Sequence, residues 1–190
     1  MKEMTRVTKE TNIRCSIDKN GTGQSIINTG IGFFDHMLEA LSKHSGIDID
    51  LVCEGDLHVD QHHSVEDCGI VIGQLLKQEI FPIENVERYG NATVVMDEAA
   101  VTCALDLSNR PYLVYECDIF GKVGEFDVEL AEEFFHALAS NCGITCHIIK
   151  ERGKNKHHII EAAFKAFAVA LRRALAENQK LGIPSTKGVL

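Results

Sequence analysis

No stretch of this 190-residue chain holds the roughly 18 consecutive apolar residues that a membrane span needs. Its longest apolar run, Ala162 to Leu171, is broken by Lys165 and ends in Arg172 and Arg173. Met1 to Glu10 is charged and lacks an apolar core, so no secretory signal is expected. Basic residues are not in excess either: 19 Lys and Arg face 28 Asp and Glu, a net charge of −9. That excludes a general nucleic-acid binder, which needs a basic face to displace counterions. It leaves room for a small anion held by a few local cations. The seven Cys are odd in number and form no Cys-x-x-Cys. They are expected to be reduced, buried thiols of a cytoplasmic protein, Cys142 and Cys146 included. No Pro-, Gly- or Ser-rich linker separates one part of the chain from another.

What the chain does have is a globular mixture, 45% hydrophobic and 25% charged, and an internal repeat. Glu10-x-x-Ile13-x-Cys15-x-Ile17-Asp18 matches Glu98-x-x-Val101-x-Cys103-x-Leu105-Asp106. His36 to Ile47 aligns without a gap on Glu133 to Ile144. His62-His63-Ser64-Val65-Glu66 matches His157-His158-Ile159-Ile160-Glu161. Three blocks recur in one order, so one domain over 1–190 is expected, made of two repeats at about 1–88 and 89–190.

Within the first repeat, Ile13, Cys15 and Ile17 alternate, and a strand is expected over Thr5 to Asp18. A turn at Asn20 to Gly23 leads to a returning strand, Ser25 to Thr29. Phe34, Met37, Leu38 and Leu41 share one helical face, with Gly46 as the stop. Ile47 to Val52 alternates again, and Val65, Gly69, Ile72 and Leu76 mark a second helix over 62–80. The second repeat predicts strands at 93–96, 101–107 and 112–117, a helix at 130–140, a strand at 144–150 and a helix from about 157 to 176. A strand pair, helix, strand and helix, twice over, predict an α/β fold, an α+β sandwich with helices on one face of each sheet.

The chemistry is concentrated in His-His-x-x-Glu, which occurs twice, each time near a helix start. His62 and Glu66 are four apart and His63 and Glu66 three apart, so the Glu can join either imidazole. Adjacent helical residues point about 100° apart, so His62 and His63 do not easily hold the same ion. Each motif is therefore expected to serve two metals, in paired sites built from both halves or from neighbouring subunits. Imidazole with carboxylate suits Zn, Mn or Fe. His36, behind the Gly-rich loop Thr29 to Gly32, is a further candidate. His44 and His58 flank the cluster, where a pocket lining and a plain surface position both stay open. His136 and His147 lack support from the repeat and are taken as structural.

Ile27 to Leu38, Asp60 to Asp67 and His157 to Ala166 resemble the signatures of imidazoleglycerol-phosphate dehydratases. Met96-Asp97-Glu98, Asp106 to Tyr112 and Pro184 to Gly188 are similar to that family too, and the resemblance runs from about Thr5 to the C-terminus. It implies a duplicated α/β fold, two Mn2+ ions per active site and a hollow 24-subunit homo-oligomer with sites at subunit contacts. The phosphatase domain fused to some members is not expected. Two positions depart from the usual pattern: Asn109 where many members carry Gly, and Glu133 where many carry a metal-binding His. Asn tolerates the left-handed backbone that such a turn needs.

The implied substrate is a small imidazole bearing a diol and a phosphate, and the implied reaction is loss of water in histidine biosynthesis. The C–H that loses its proton is not acidified by a carbonyl. Two ions on the ring nitrogens would favour the imidazolate, which can expel the neighbouring hydroxyl. A general base then takes the next proton. The resulting ligand set is His36, His62, His63, Glu66, Glu133, His157, His158 and Glu161. Glu10, Glu66, Glu161, His63 and His158 are candidates for the proton transfers, with Glu10 an acid, a base or a hydroxyl clamp. Glu10, His36, His44, His62, Glu66 and His157 are expected to contact the substrate. Arg88, Arg110, Lys165 and Lys187, with Ser185, match the family's phosphate positions, where Arg binds bidentately. A metal-dependent hydrolase and a metal-storage cage are the competing readings. The first would release phosphate or split an amide, and the second would turn nothing over.

Overall fold

The computed structural model describes residues 1–188; Val189 and Leu190, the end of the expected second repeat, lie outside the described residues. The first half runs β1 (Lys2–Val7), β2 (Thr11–Asp18), β3 (Ser25–Asn28), α1 (Gly32–Ser45), β4 (Asp48–Gly55) and α2 (His62–Ile80). The second runs β5 (Tyr89–Met96), β6 (Ala99–Asp106), β7 (Tyr112–Glu116), a short hairpin of β8 (Lys122–Val123) and β9 (Phe126–Asp127), α3 (Leu130–Cys142), β10 (Thr145–Arg152) and α4 (Lys156–Ala174). Two four-stranded sheets result, ordered β1-β2-β4-β3 and β5-β6-β10-β7. Only the last pair of each is parallel. The two sheets repeat one topology.

The alternation of β2 places Ile13, Cys15 and Ile17 inward and Arg14 outward, so each sheet has one face to cover. Helices from both halves do so together. α2 packs on β1 and β2 and against α3, while α4 packs on β5 and β6 and against α1. Phe34 of α1 meets Phe134 of α3 edge-on at 5.4 Å. Phe135 and Phe164 lie 4.7 Å apart in the same buried cluster. The helices are thus sandwiched between the sheets, and the core belongs to both halves.

Two expectations about strands need correction. The single strand over Thr5 to Asp18 is a hairpin, because the Thr8 hydroxyl accepts from the N–H groups of Glu10 (3.1 Å) and Thr11 (2.9 Å) and turns the chain there. Each unit therefore opens with three strands rather than a pair. Lys2–Val7 shows no apolar alternation, and its half-buried Arg6 is paired with Asp67 of α2 at 3.0 Å. The returning strand β3 does not pair with β2, since β4 inserts between them. Asp48 directs this: its Oδ1 accepts from Thr22 N and Gln24 N at 2.8 and 2.7 Å, carrying the loop past β2 to the far edge of β4. Helix ends follow the sequence more closely. Gly46 and Gly143 close α1 and α3 in left-handed conformation, and Asn109 also adopts it, at φ +52°.

The contact between the halves depends on two glycines of α2. A Cβ on Gly69 would lie 2.8 Å from Phe134 O, and one on Gly73 2.6 Å from Leu138 O. Ala is favoured over Gly in a helix interior by about 1 kcal/mol. Here the clash with the α3 backbone outweighs that. Gly73→Ala is expected to lower stability by roughly 1–3 kcal/mol, the usual cost of overpacking. Chemical denaturation should show this as a lower midpoint with an unchanged slope.

Candidate metal centre

Both His-His motifs sit at helix starts where a preceding side chain takes up backbone N–H groups, Asn155 as the cap of α4 and Asp60 one residue before Gln61, the N-cap position of α2, which makes no side-chain cap bond. Asn155 Oδ1 accepts from His157 N at 3.0 Å and His158 N at 3.4 Å, and Asp60 Oδ1 accepts from His62 N at 2.8 Å. On the partner element, Thr29 N donates to Asp35 Oδ1 at 2.8 Å, closing the Gly-rich loop over the start of α1 and fixing His36 in its first turns.

His36 of the first half meets His157 and Glu161 of the second. One ligand atom from each lies within 4.8 Å of the others. Glu161 Oε2 is 3.0 Å from His157 Nε2 and 3.6 Å from His36 Nε2, while its Oε1 takes Lys165 Nζ at 2.7 Å. Glu161 is only 5% exposed. Burial alone would raise its pKa; the Lys165 ammonium and the two imidazoles outweigh that and hold it below the ordinary carboxylate value. A buried, ionised carboxylate facing two imidazole nitrogens suits a divalent ion of the Mn, Fe or Zn type. His44 lies beside this cluster, its pKa lowered by burial and by Lys165 and Arg172, so its ring is neutral at physiological pH.

The matching set in the first half is looser. His62 Nε2 and Glu66 Oε2 are 3.7 Å apart, both side chains more than 40% exposed. Among the described residues no third donor closes a triple with them, Glu133 included. His63 and His158 turn away from these pairs, their rings nearly perpendicular to those of His62 and His157 at 6.2 and 6.1 Å. Asp56 Oδ2 lies 3.0 Å from His63 Nδ1, and Glu98 Oε2 lies 2.8 Å from His158 Nδ1. Glu10, by contrast, is 3.7 Å from His63 Nε2. The bonds to His158 and to the N–H groups of Asn155 and Lys154 hold Glu98 down at about 2. Neither Asp56 nor Glu98 was expected at the site.

The cationic residues divide. Arg88, Ser108, Asn109, Arg110, Ser185 and Lys187 line one cleft of about 430 Å³. Lys165 is not part of it and sits on Glu161 instead. Arg88 is buried and each of its three nitrogens is bonded: Nε and Nη2 donate to Asp106 at 2.7 and 3.1 Å, and Nη1 to Pro184 O at 2.7 Å. It fastens the C-terminal segment to the sheet; exposed Arg110 keeps a looser pairing with Asp106, Nη2 to Oδ2 at 3.7 Å, and exposed Lys187 also lines the cleft. Asp106, which makes this arrangement, stands in the repeat and in a family-like segment but had no role assigned from the sequence. His58, His136 and His147 are exposed; the latter two hold no place in the core. All seven Cys are buried and free, and burial pushes the Cys142 thiol up to about 12.

The cleft and the cluster stand at opposite ends of α4. Arg88 N donates to Ala174 O at its last residue, whereas His157 is its second. At 1.5 Å per residue, roughly 25 Å of helix separates them. No helix among the described residues is long and apolar enough to cross a membrane.

Residues 29–171 match the family of imidazoleglycerol-phosphate dehydratases. The imidazoleglycerol-phosphate dehydratase of Aliarcobacter butzleri (strain RM4018) is 75% identical over 190 residues, the whole of both chains. That of Wolinella succinogenes is 62% identical over the same span. Among solved structures, the dehydratase of Staphylococcus aureus subsp. aureus N315 is 43% identical, with a TM-score of 0.82 over 93% of this chain and 98% of that one. The Pyrococcus furiosus enzyme, solved in complex with (S)-C348, is 40% identical, with a TM-score of 0.85 over 98% and 100%.

Proposed function

This chain belongs to the imidazoleglycerol-phosphate dehydratase family, and we propose that it works through paired Mn2+ sites completed between chains. It is a hydro-lyase that removes water from imidazole glycerol phosphate, a step of histidine biosynthesis. The observation that carries the metal reading is the His36, His157 and Glu161 triple: two imidazole nitrogens around a buried carboxylate whose pKa Lys165 and the imidazoles hold below the ordinary value against the opposing effect of burial.

One ion is assigned to that triple. The other is assigned to His62 and Glu66, with Glu133 as a further ligand that would have to move closer than it lies here, and with His63 and His158 reaching into the sites of neighbouring chains. Ions held by these residues would supply Lewis acidity to the substrate's imidazole ring. The chain's own groups do the rest. Glu10, 3.7 Å from His63 Nε2, stands where it can hold a substrate hydroxyl or move its proton. Glu66 and Glu161 are ligands and secondary candidates for the same transfers. His44 is a neutral wall with no charge to oppose a cation, and Lys165 keeps Glu161 ionised. Arg110, Lys187 and Ser185 bind the phosphate, on a cleft floor that Arg88 fixes.

A substrate of three carbons, one ring and one phosphate cannot span roughly 25 Å of α4. We therefore assign the cleft and the triple of any one site to different chains. That requirement supports a closed homo-oligomer, for which the family's 24 subunits are the expected number. Residues 1–88 and 89–190 form two repeats of one domain, supported by the shared core. The cytoplasm is the expected compartment, in keeping with seven free thiols.

The Glu133 assignment gives a direct test by metal analysis. A carboxylate oxygen is a suitable donor for Mn2+. Wild-type protein should carry two ions per chain, and Glu133→His should keep both, whereas Glu133→Ala should fall to about one. Full metal content in Glu133→Ala would remove Glu133 from the ligand set.

A further inference from the structure

Asp56 and Glu98 do for two imidazoles what no motif announces. Each places a carboxylate oxygen on the Nδ1 of the second histidine of its motif, His63 at 3.0 Å and His158 at 2.8 Å. They come from unrelated places: Asp56 from the loop between β4 and α2, Glu98 from the turn between β5 and β6. An ionised carboxylate only accepts hydrogen bonds. A neutral imidazole beside it must therefore carry its proton on Nδ1, and its lone pair then lies on Nε2. The two Nε2 atoms lie near Glu10 (3.7 Å) and Asp97 (3.8 Å).

We propose that Asp56 and Glu98 are positioning residues that fix His63 and His158 in the Nδ1–H tautomer, presenting Nε2 as a ready donor to a divalent cation. The inference rests on the metal reading above only for the identity of the acceptor; the tautomer itself does not depend on it. Carboxylate partners of this kind orient metal-binding imidazoles and raise their basicity, and their loss costs roughly 10- to 100-fold in metal affinity.

The two devices differ in how firmly the carboxylate is held. Asp56 offers both oxygens to the ring, at 3.2 and 3.0 Å, and its side chain has no other partner among the described residues. Glu98 spends Oε1 on two backbone donors, Lys154 N at 3.1 Å and Asn155 N at 2.7 Å, and only Oε2 faces His158. The conservative amides should therefore behave in opposite ways. Asn at 56 can turn its carbonyl to His63 and keep the tautomer. Gln at 98 must give its carbonyl to the two backbone N–H groups, so its NH2 faces His158 and drives the proton to Nε2.

Long-range 15N–1H correlation on the metal-free full chain, at a pH where the imidazoles are neutral, reads the tautomers. Wild type should show Nδ1–H at His63 and His158, Asp56→Asn should leave both unchanged, and Glu98→Gln should show Nε2–H at His158. Mn2+ binding, followed by competition with a chelating dye, should be unchanged within about threefold in Asp56→Asn. It should weaken roughly 10- to 100-fold at one site in Glu98→Gln and in Asp56→Ala. Nε2–H at both histidines of the wild type, or equal Mn2+ affinity in Glu98→Gln and wild type, would overturn the inference while leaving the metal reading intact. Wild type that binds no Mn2+ yet shows the Nδ1–H tautomers would sink the metal reading and keep the tautomer assignment.

Discussion

Replacing Glu161 with Ala should remove one of the two proposed ions and lower turnover by roughly 10³-fold or more, since metal Lewis acidity is worth several kcal/mol and each 1.36 kcal/mol is a factor of ten. Three features put this residue first. It is the only member of the triple with a negative charge, it is 5% exposed, and it bridges His36 to His157 across the two halves. Its loss also strands Lys165, whose ammonium then stands beside the two imidazoles without a counter-charge. Glu161→Gln separates these effects. It keeps the shape but not the charge, so it should fold as wild type and still bind the ion poorly. Metal analysis and steady-state rates on both variants give the answer. Turnover within tenfold of wild type in Glu161→Ala would remove the triple from the reaction.

The second large effect is a recovery. Arg110→Ala should lose phosphate binding and His157→Ala should lose an ion, each leaving little activity alone. Their ruined parts lie at opposite ends of α4. If a site takes its cleft from one chain and its triple from another, mixed assemblies contain intact sites. Random assortment of equal amounts in a closed oligomer predicts about a quarter of wild-type activity. The two variants are co-expressed with different tags and purified through both, so that every particle counted is mixed. Activity no higher than either parent would place the whole site within one chain.

The repeat made much of this legible. Matching blocks located the helices, the strands that alternate and both His-His-x-x-Glu motifs, because periodicity and side-chain chemistry are local. What escaped was set by packing between distant segments. β1 carries no apolar alternation and is held by Arg6 on Asp67. β4 slips between β2 and β3 because Asp48 and Asp50 take backbone N–H groups of the preceding loop and strand. The repeat pairs Glu10 with Glu98, yet Asp56, not Glu10, does for His63 what Glu98 does for His158. No periodic signal marks such a substitution of partners. The family resemblance groups Lys165 with the phosphate positions; within this chain its ammonium lies on Glu161, one helical turn away, a contact that the i,i+4 spacing already allowed.

The most direct measurement is a Mn2+ titration of metal-free protein, performed without oxygen, with imidazole glycerol phosphate present. The keto product and inorganic phosphate are quantified together. Turnover should rise with added metal, saturate near two ions per chain, and yield imidazole acetol phosphate with the phosphate ester intact. Full turnover in the metal-free protein, or release of inorganic phosphate in step with substrate loss, would contradict the account.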